Sequence, residues 1–400
     1  MAHSSFQVAI VGAGLGGLCL AQGLRKAGLD VAVYERDATA SARAQGYRIS
    51  LDARADDALR ACLPASLFQL FEMTRGQPST GLTLFSFEGD TLRERHTMRF
   101  AQEPRPGLPA AGHAVDRLVL RETLLAGLDD TVQFGKEFTE YTLQPSAVDA
   151  QFADGTSVTC DVLVAADGVS SRVRQQFLPD TRLVDTGMRW LGGRTVLDDR
   201  LRELLPGAVT DRAISVMDCG QAFFLAAVLF QQRPNDVART LSPGLRYTDN
   251  DDFLMWAYVG HLGSFLFSDD QLFGTAEVEL YRLAVESVNG CHPMLKNLIE
   301  AGNPERCFSL AIRSVPQVEP WPSSRITFIG DAIHASPING TGANAALEDA
   351  AVLCTYLTRG VGGDLQRALD EYEMDLLSRI SAMRAGLALH QAAIPNRTPM

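Results

Sequence analysis

Lysine is nearly absent from this 400-residue chain: Lys26, Lys136 and Lys296 are the whole complement, so almost all positive charge is arginine. No basic block relieves an acidic excess that leaves a formal net charge of −12. Phosphate backbones are held by clustered Lys and Arg, so the composition excludes a general nucleic-acid binder. The cysteines (Cys19, Cys62, Cys160, Cys219, Cys291, Cys307 and Cys354) are scattered, without a C-x-x-C pair or a histidine at ligand spacing. That pattern predicts no metal. No stretch approaches 18 uninterrupted apolar residues, and Met1 leads through polar residues straight into a short strand-like segment. The expectation is a cytoplasmic protein with reduced thiols, no integral membrane segment, and a monomeric or homodimeric state.

What is present suits a packed α/β body. Hydrophobic residues make up 46% of the chain, enough for a substantial core, and the length favours two domains or one large interleaved unit. Residues 6–11 read as a buried strand, Gly12-Ala13-Gly14-Leu15-Gly16-Gly17 as a turn, the residues to about 27 as an amphipathic helix closed by Gly28, and 30–35 as a second strand. This is a complete βαβ unit. Asp116 is placed to cap a helix whose apolar side is Leu118, Leu120, Leu124 and Leu125. Residues 181–271 form a run of strands broken by Pro, Gly and Asn/Asp clusters, which predicts a second, sheet-based domain. A last strand, 325–329, leads to Gly330-Asp331, a helix from about 342, and another over 365–389.

In Gly12-x-Gly14-x-x-Gly17 the glycines allow a tight turn, the approach of backbone N–H groups to a pyrophosphate, and close helix-strand packing. Ala13, Leu15 and Gly16 complete that loop. Glu35, 23 positions after Gly12, ends the next strand and is suited to the hydroxyls of an adenosine ribose. Arg36 reads equally as a cover for the adenine or as a solvated charge. This motif does not separate NAD from FAD. The far end does: a strand ending in Gly330-Asp331 presents a carboxylate to a polyol, and the Pro/Gly-rich loop up to Gly342-Ala343-Asn344 brings a helix N-terminus to an electron-rich ring edge.

With the segment from Asp161 through Asp167-Gly168 to Arg174, these motifs resemble the FAD-dependent aromatic hydroxylases, flavoprotein monooxygenases of the para-hydroxybenzoate hydroxylase type. The resemblance spans residues 6 to about 355. It implies an α/β fold: a discontinuous Rossmann-like FAD-binding domain (1–75, 105–180 and 285–360), an interleaved β-sheet substrate domain (76–104 and 181–284), and a C-terminal helical segment (361–400). It implies that Asp331 binds the ribityl chain, that Gly342, Ala343 and Asn344 lie against the flavin N1–C2=O edge, and that Asp167 serves both FAD and the nicotinamide. The family's helix-start arginine maps onto Arg117, with Arg121 on the same face as the competing assignment, and Arg43 falls where related chains turn towards the cofactor. Tyr47 and Arg48 either face substrate or begin a strand.

The implied reaction uses FAD, with NADPH or NADH as a transient co-substrate and O2 activated at the flavin C4a position, to hydroxylate a small aromatic or polycyclic substrate. His261 is the one histidine suggestive of a base in the substrate domain, with a structural role as its alternative. Met217, Phe223, Phe224, Trp256, Phe265 and Phe267 read either as an aromatic-binding wall or as plain core. A halogenase of the same fold needs a lysine and a Trp-rich motif, neither of which is apparent. A flavin reductase or oxidase, and a non-catalytic flavin- or ligand-binding protein, are the other readings.

Overall fold

The computed structural model describes residues 6–42, 47–104, 110–315, 318–336 and 340–393. Strand β1 (Gln7–Val11), helix α1 (Leu15–Lys26) and strand β2 (Asp30–Glu35) open the chain as expected. β1 is the centre of a five-stranded parallel sheet in the order Ile326–Phe328, Val162–Ala165, β1, β2, Val132–Phe134. Val8, Ala9 and Ile10 have no solvent contact, as a strand covered on both faces requires. Each fully buried Val or Ile here contributes roughly 1.5–3 kcal/mol of burial free energy. Helix Gly342–Gly360 packs on α1, and the C-terminal helix Leu365–Ala393 packs on Gly342–Gly360.

The second sheet has seven strands, in the order Phe308–Ser314, Val184–Val196, Phe253–His261, Gln221–Val228, Ala213–Asp218, Gly81–Glu88, Thr91–Arg99. One face carries a large core with Trp256, Phe223, Leu225 and Leu254, covered by helices that supply Leu280, Leu283, Leu295 and Leu298. The other bears a small cluster of Ala114, Val228, Phe253, Met255 and Phe308. A short sheet joins β3 (Arg48–Leu51) to Gly112–Asp116 and Pro78–Ser79.

The boundary expected at 284 falls inside helix Glu277–Ser287. The sheet module runs on through Phe308–Ser314, which pairs antiparallel with Val184–Val196 at the sheet edge. Such a pairing closes across more than a hundred residues, so no local pattern announces it.

Candidate active site

The glycine loop is shaped by clashes it avoids. Gly12 has φ +109°, and a Cβ there would lie 2.4 Å from the Ala166 carbonyl oxygen, while one on Gly17 would lie 2.1 Å from the Gly12 carbonyl oxygen. At Gly14 a Cβ would meet nothing within 4 Å. Gly14 is also the N-cap of α1 and offers its first turn no side-chain cap. The helix therefore ends in unsatisfied N–H groups beside open space, the arrangement that takes an anion.

Ala13 and Leu15 are buried beneath the loop. Glu35 holds it, accepting from Ala13 N–H at 2.7 Å and Asp37 N–H at 3.0 Å. Arg121 braces it from below, donating to the Ala13 carbonyl at 3.1 Å and the Ala40 carbonyl at 2.5 Å. Of the two candidate arginines it is thus Arg121 that touches the loop; Arg117 lies over the Tyr47 ring at 5.4 Å. Arg36 is exposed. Arg43 lies outside the described residues.

The other two motifs close on the same place. A Cβ on Gly16 would lie 3.1 Å from the Ala346 carbonyl oxygen, and one on Gly330, at φ +60°, 2.8 Å from Ala346 Cβ. Both ends of the chain therefore meet at one residue of helix Gly342–Gly360. Asp167, after strand Val162–Ala165, accepts from Arg172 N–H at 2.8 Å and so helps start helix Arg172–Phe177, while its Oδ1 is sealed and unpartnered. Burial pushes its carboxyl above the usual range. Arg174 donates at 2.6 Å to the Ala332 carbonyl, joining the Asp-Gly and Gly-Asp segments.

Asp331 is exposed, and a Cβ on Gly342 would sit 3.7 Å from its Oδ1. Its backbone is fixed from beneath. Asp349 receives Gly330 N–H at 2.9 Å, the His334 ring at 2.6 Å and Arg379 at 3.0 Å. Desolvation opposes ionisation of both His334 and Asp349, yet each overcomes it for the other: the histidine is raised and the carboxyl lowered. Gly342 and Ala343 start a 19-residue helix whose N-cap, Thr341, makes no side-chain cap. The Asn344 side chain is committed elsewhere, accepting from Asp52 N–H at 2.8 Å and donating to the Ser50 carbonyl at 2.9 Å. Only the main chain of Asn344 is left to face a ring edge. Uncapped helix starts, an open glycine, an exposed carboxylate and an orphaned Asp167 oxygen together fit FAD.

The substrate side departs from expectation. Trp256 lies in the helix-covered core with its indole N–H donating to Thr195 Oγ1 at 3.1 Å, and Phe267, Phe223 and Phe265 lie in that core too. These four are corrected to structural residues. For Trp256 and Phe223 the reason is strand parity, since neighbours point to opposite faces: Met255 and Trp256 part company, and Phe223 and Phe224 likewise; Phe265 and Phe267 lie beyond the end of strand Phe253–His261 and fold back into the same core. Phe224 faces the small cluster, with Tyr47, Trp190 and Leu310 also partly covered there. Trp190, Met255 and Leu310 were missed, although once Phe224 is placed the same parity finds them. Met217 is 46% exposed. His261 is exposed at the end of its strand, six residues and roughly 20 Å beyond Met255. Asp218, Cys219 and Cys291 bring ligand atoms within 4.8 Å of one another, a juxtaposition their spacing hid. Both Asp218 oxygens already accept hydrogen bonds, from Cys219 and His292 N–H.

The model of the family described as FAD binding domain matches residues 5–214 and 307–385. A dual O-methyltransferase/FAD-dependent monooxygenase of Cercospora beticola is 33% identical over 400 residues, covering 93% of this chain and 44% of its own. The chain spans less than half the length of the first curated relatives it matches. The 2-heptyl-3-hydroxy-4(1H)-quinolone synthase of Pseudomonas aeruginosa is 27% identical over 86% of this chain and 79% of its own. Among solved structures, an FAD-containing monooxygenase from Photorhabdus luminescens superposes with TM-score 0.75 at 30% identity, covering 98% of this chain and 99% of that one. The 2,6-dihydroxypyridine-3-hydroxylase of Arthrobacter nicotinovorans, at 16% identity and TM-score 0.72 over 97% and 92%, shares the fold. The family model covers well over half of the residues, and the chain belongs to the FAD binding domain family.

Proposed function

We propose that this protein hydroxylates an aromatic or polycyclic small molecule, with NAD(P)H as reductant and O2 as oxygen source. The observation that carries the reading is the meeting of Gly16, Gly330 and Ala346 next to a sheet face paved with partly covered aromatic residues. Bound FAD would supply the redox and oxygen chemistry. Glu35 and the start of α1 hold its adenosine diphosphate, and Asp331 its sugar-alcohol chain. The start of helix Gly342–Gly360 favours negative charge at the adjoining ring edge. Tyr47, Trp190, Phe224 and Leu310 orient a flat substrate and keep water away.

The lysines speak against the halogenase reading. Lys26 donates to the Ala61 and Leu63 carbonyls, Lys136 to Asp154 and Thr156, and Lys296 lies by Glu300, so each is occupied outside the aromatic face. In labelled O2, turnover with a phenolic or polycyclic substrate is expected to place one labelled atom in the product. A product with none would support the reductase or oxidase reading, and NAD(P)H consumption indifferent to a broad aromatic panel would support a non-catalytic role.

Asp331→Ala is expected to melt within about 0.5 kcal/mol of the wild type, because the side chain is exposed. Its FAD affinity is expected to fall roughly 10- to 100-fold through loss of charge-assisted hydrogen bonds. Flavin absorbance per protein after gel filtration measures it, and an unchanged ratio defeats the assignment.

A further inference from the structure

Among the described residues Cys219 is the only cysteine exposed to solvent; Cys354 is half-buried and the other five are buried. Its backbone is unusual as well. Asp218 pairs with Gln221, so Cys219-Gly220 is a two-residue hairpin turn between strands Ala213–Asp218 and Gln221–Val228. Both turn residues have positive φ, +51° at Cys219 and +73° at Gly220, and Cys219 is the one non-glycine with that geometry among the described residues. Turns of this kind take Asn, Asp or Gly, which tolerate the left-handed region. Nothing in the turn itself calls for a thiol.

A second sulfur stands opposite. Cys291, in the link between helices Glu277–Ser287 and Pro293–Glu300, brings its Sγ within 4.8 Å of Cys219 Sγ. Residues next to both cysteines fix the two segments on each other. One Asp218 oxygen accepts from Cys219 N–H at 3.0 Å and the other from His292 N–H at 2.6 Å, so a single carboxylate clasps the turn to the link. The Cys219 thiol donates to the Gly290 carbonyl at 3.2 Å, and the His292 ring stacks on Phe87 of strand Gly81–Glu88 at 3.8 Å. Burial, with Cys219 and Asp218 adding to it, pushes the Cys291 thiol up to about 12. One sulfur is thus open to a solute, and the other is held protonated behind it.

A metal accounts for the pair less well. A structural site needs four ligands. The third here would be Asp218, whose oxygens are both engaged, and no fourth His, Cys, Asp or Glu joins the group among the described residues. Nδ1 of the adjoining His292 already accepts Met294 N–H at 3.1 Å.

We infer that Cys219 and Cys291 are a reversible oxidation site, joined as a disulfide when the protein meets a hydroperoxide, and that the bond fastens the helical cover of the seven-stranded sheet to the sheet itself. The Cys219 sulfur attacks one peroxide oxygen: the S–O bond forms, the O–O bond breaks, and the leaving hydroxide takes the thiol proton as water. The Cys291 sulfur then attacks the Cys219 sulfur. The S–S bond forms, the S–O bond breaks, and the second hydroxide leaves as water with the Cys291 proton. With hydrogen peroxide, two thiols give up two electrons and two protons and one peroxide becomes two waters. A dithiol reverses the bond by exchange. The site uses none of the residues assigned to cofactor or substrate, so it stands apart from the hydroxylase reading.

In the test, reduced wild type freed of reductant is treated with hydrogen peroxide, quenched with N-ethylmaleimide in denaturant, and mapped by peptide mass spectrometry without reduction. A linked pair of peptides carrying Cys219 and Cys291 is expected, cleaved by dithiothreitol. The linked protein should melt about 5–10 °C above the reduced one, because the bond closes the long loop between the two residues. Cys219→Asn suits the turn and should melt no lower than the reduced wild type, with peroxide leaving both its melting temperature and Cys291 unchanged. In Cys291→Ala the sulfenic acid has no partner, and Cys219 is expected to run on to sulfinic acid. Cys219 left unoxidised in the wild type, or oxidised with Cys291 still open to alkylation, overturns the inference, as does a linked protein that melts no higher than the reduced one. So does wild type purified with bound zinc that shields both thiols from alkylation, because the pair would then be a metal site.

Discussion

Asp349→Ala is expected to lower folding stability by about 3–5 kcal/mol, the usual cost of removing one partner from a buried charge network. The side chain is 2% exposed and receives three donors at once, from Gly330, His334 and Arg379. Without it the His334 imidazole loses its counter-charge, Arg379 is left with Asp375 as its ion-pair partner, and the turn that presents Asp331 loses its anchor. The effect has a definite pH window. His334 is raised above its usual value, so the stability it contributes is complete below about 6.5 and is lost as pH rises through the higher folded value. Asp349 is held below its usual value, so its contribution is complete above about 3.9 and is lost as pH falls through the lower folded value. The gap between wild type and variant should be widest from about pH 4 to 6.5 and close on both sides. Chemical denaturation of the flavin-free proteins across that range measures it, and a flat difference would show that the charges carry none of the effect.

The second large effect separates two glycines three residues apart. Gly17→Ala forces a Cβ to 2.1 Å from the Gly12 carbonyl oxygen, so main chain must move. It is expected to cost about 1–3 kcal/mol as overpacking and to abolish flavin retention, because the displaced atoms belong to the phosphate loop. Gly14→Ala places its methyl in open space at φ −77°, which alanine adopts freely. The flavin-free Gly14→Ala protein should melt like the flavin-free wild type and yet bind FAD weakly, since the methyl occupies the volume a pyrophosphate needs. Normal FAD affinity in Gly14→Ala would refute the placement of the phosphates against α1.

Why the cofactor half could be read from residue order, and the substrate half could not, follows from how each is built. Gly12, Gly14, Gly17 and Glu35 act within one βαβ unit, and Asp116 caps the helix that begins at the next residue, accepting from Leu118 N–H at 2.8 Å. These are short-range constraints with short-range signatures. Trp256, by contrast, is as aromatic as Trp190 and Phe224, and only the pairing of Val184–Val196 and Gln221–Val228 with Phe253–His261 decides which face each occupies. The role of Asn344 as a strap to Ser50 and Asp52 spans almost 300 residues. The displaced boundary near 284 has the same origin, an edge strand recruited from a distance.

The placement of β1 at the centre of its sheet has a consequence for biosynthesis. Its neighbour β2 leaves the ribosome at once, but the helix that covers α1 begins only at Gly342. At about 5–20 residues per second, the roughly 300 residues in between take about 15 to 60 s to appear. Throughout that interval the nascent α1 shows bare the surface where Gly16 later meets Ala346 and Gly23 meets Cys354. The newborn polypeptide therefore carries an uncovered helix surface long before the residues around Ala346 can close on the glycine loop.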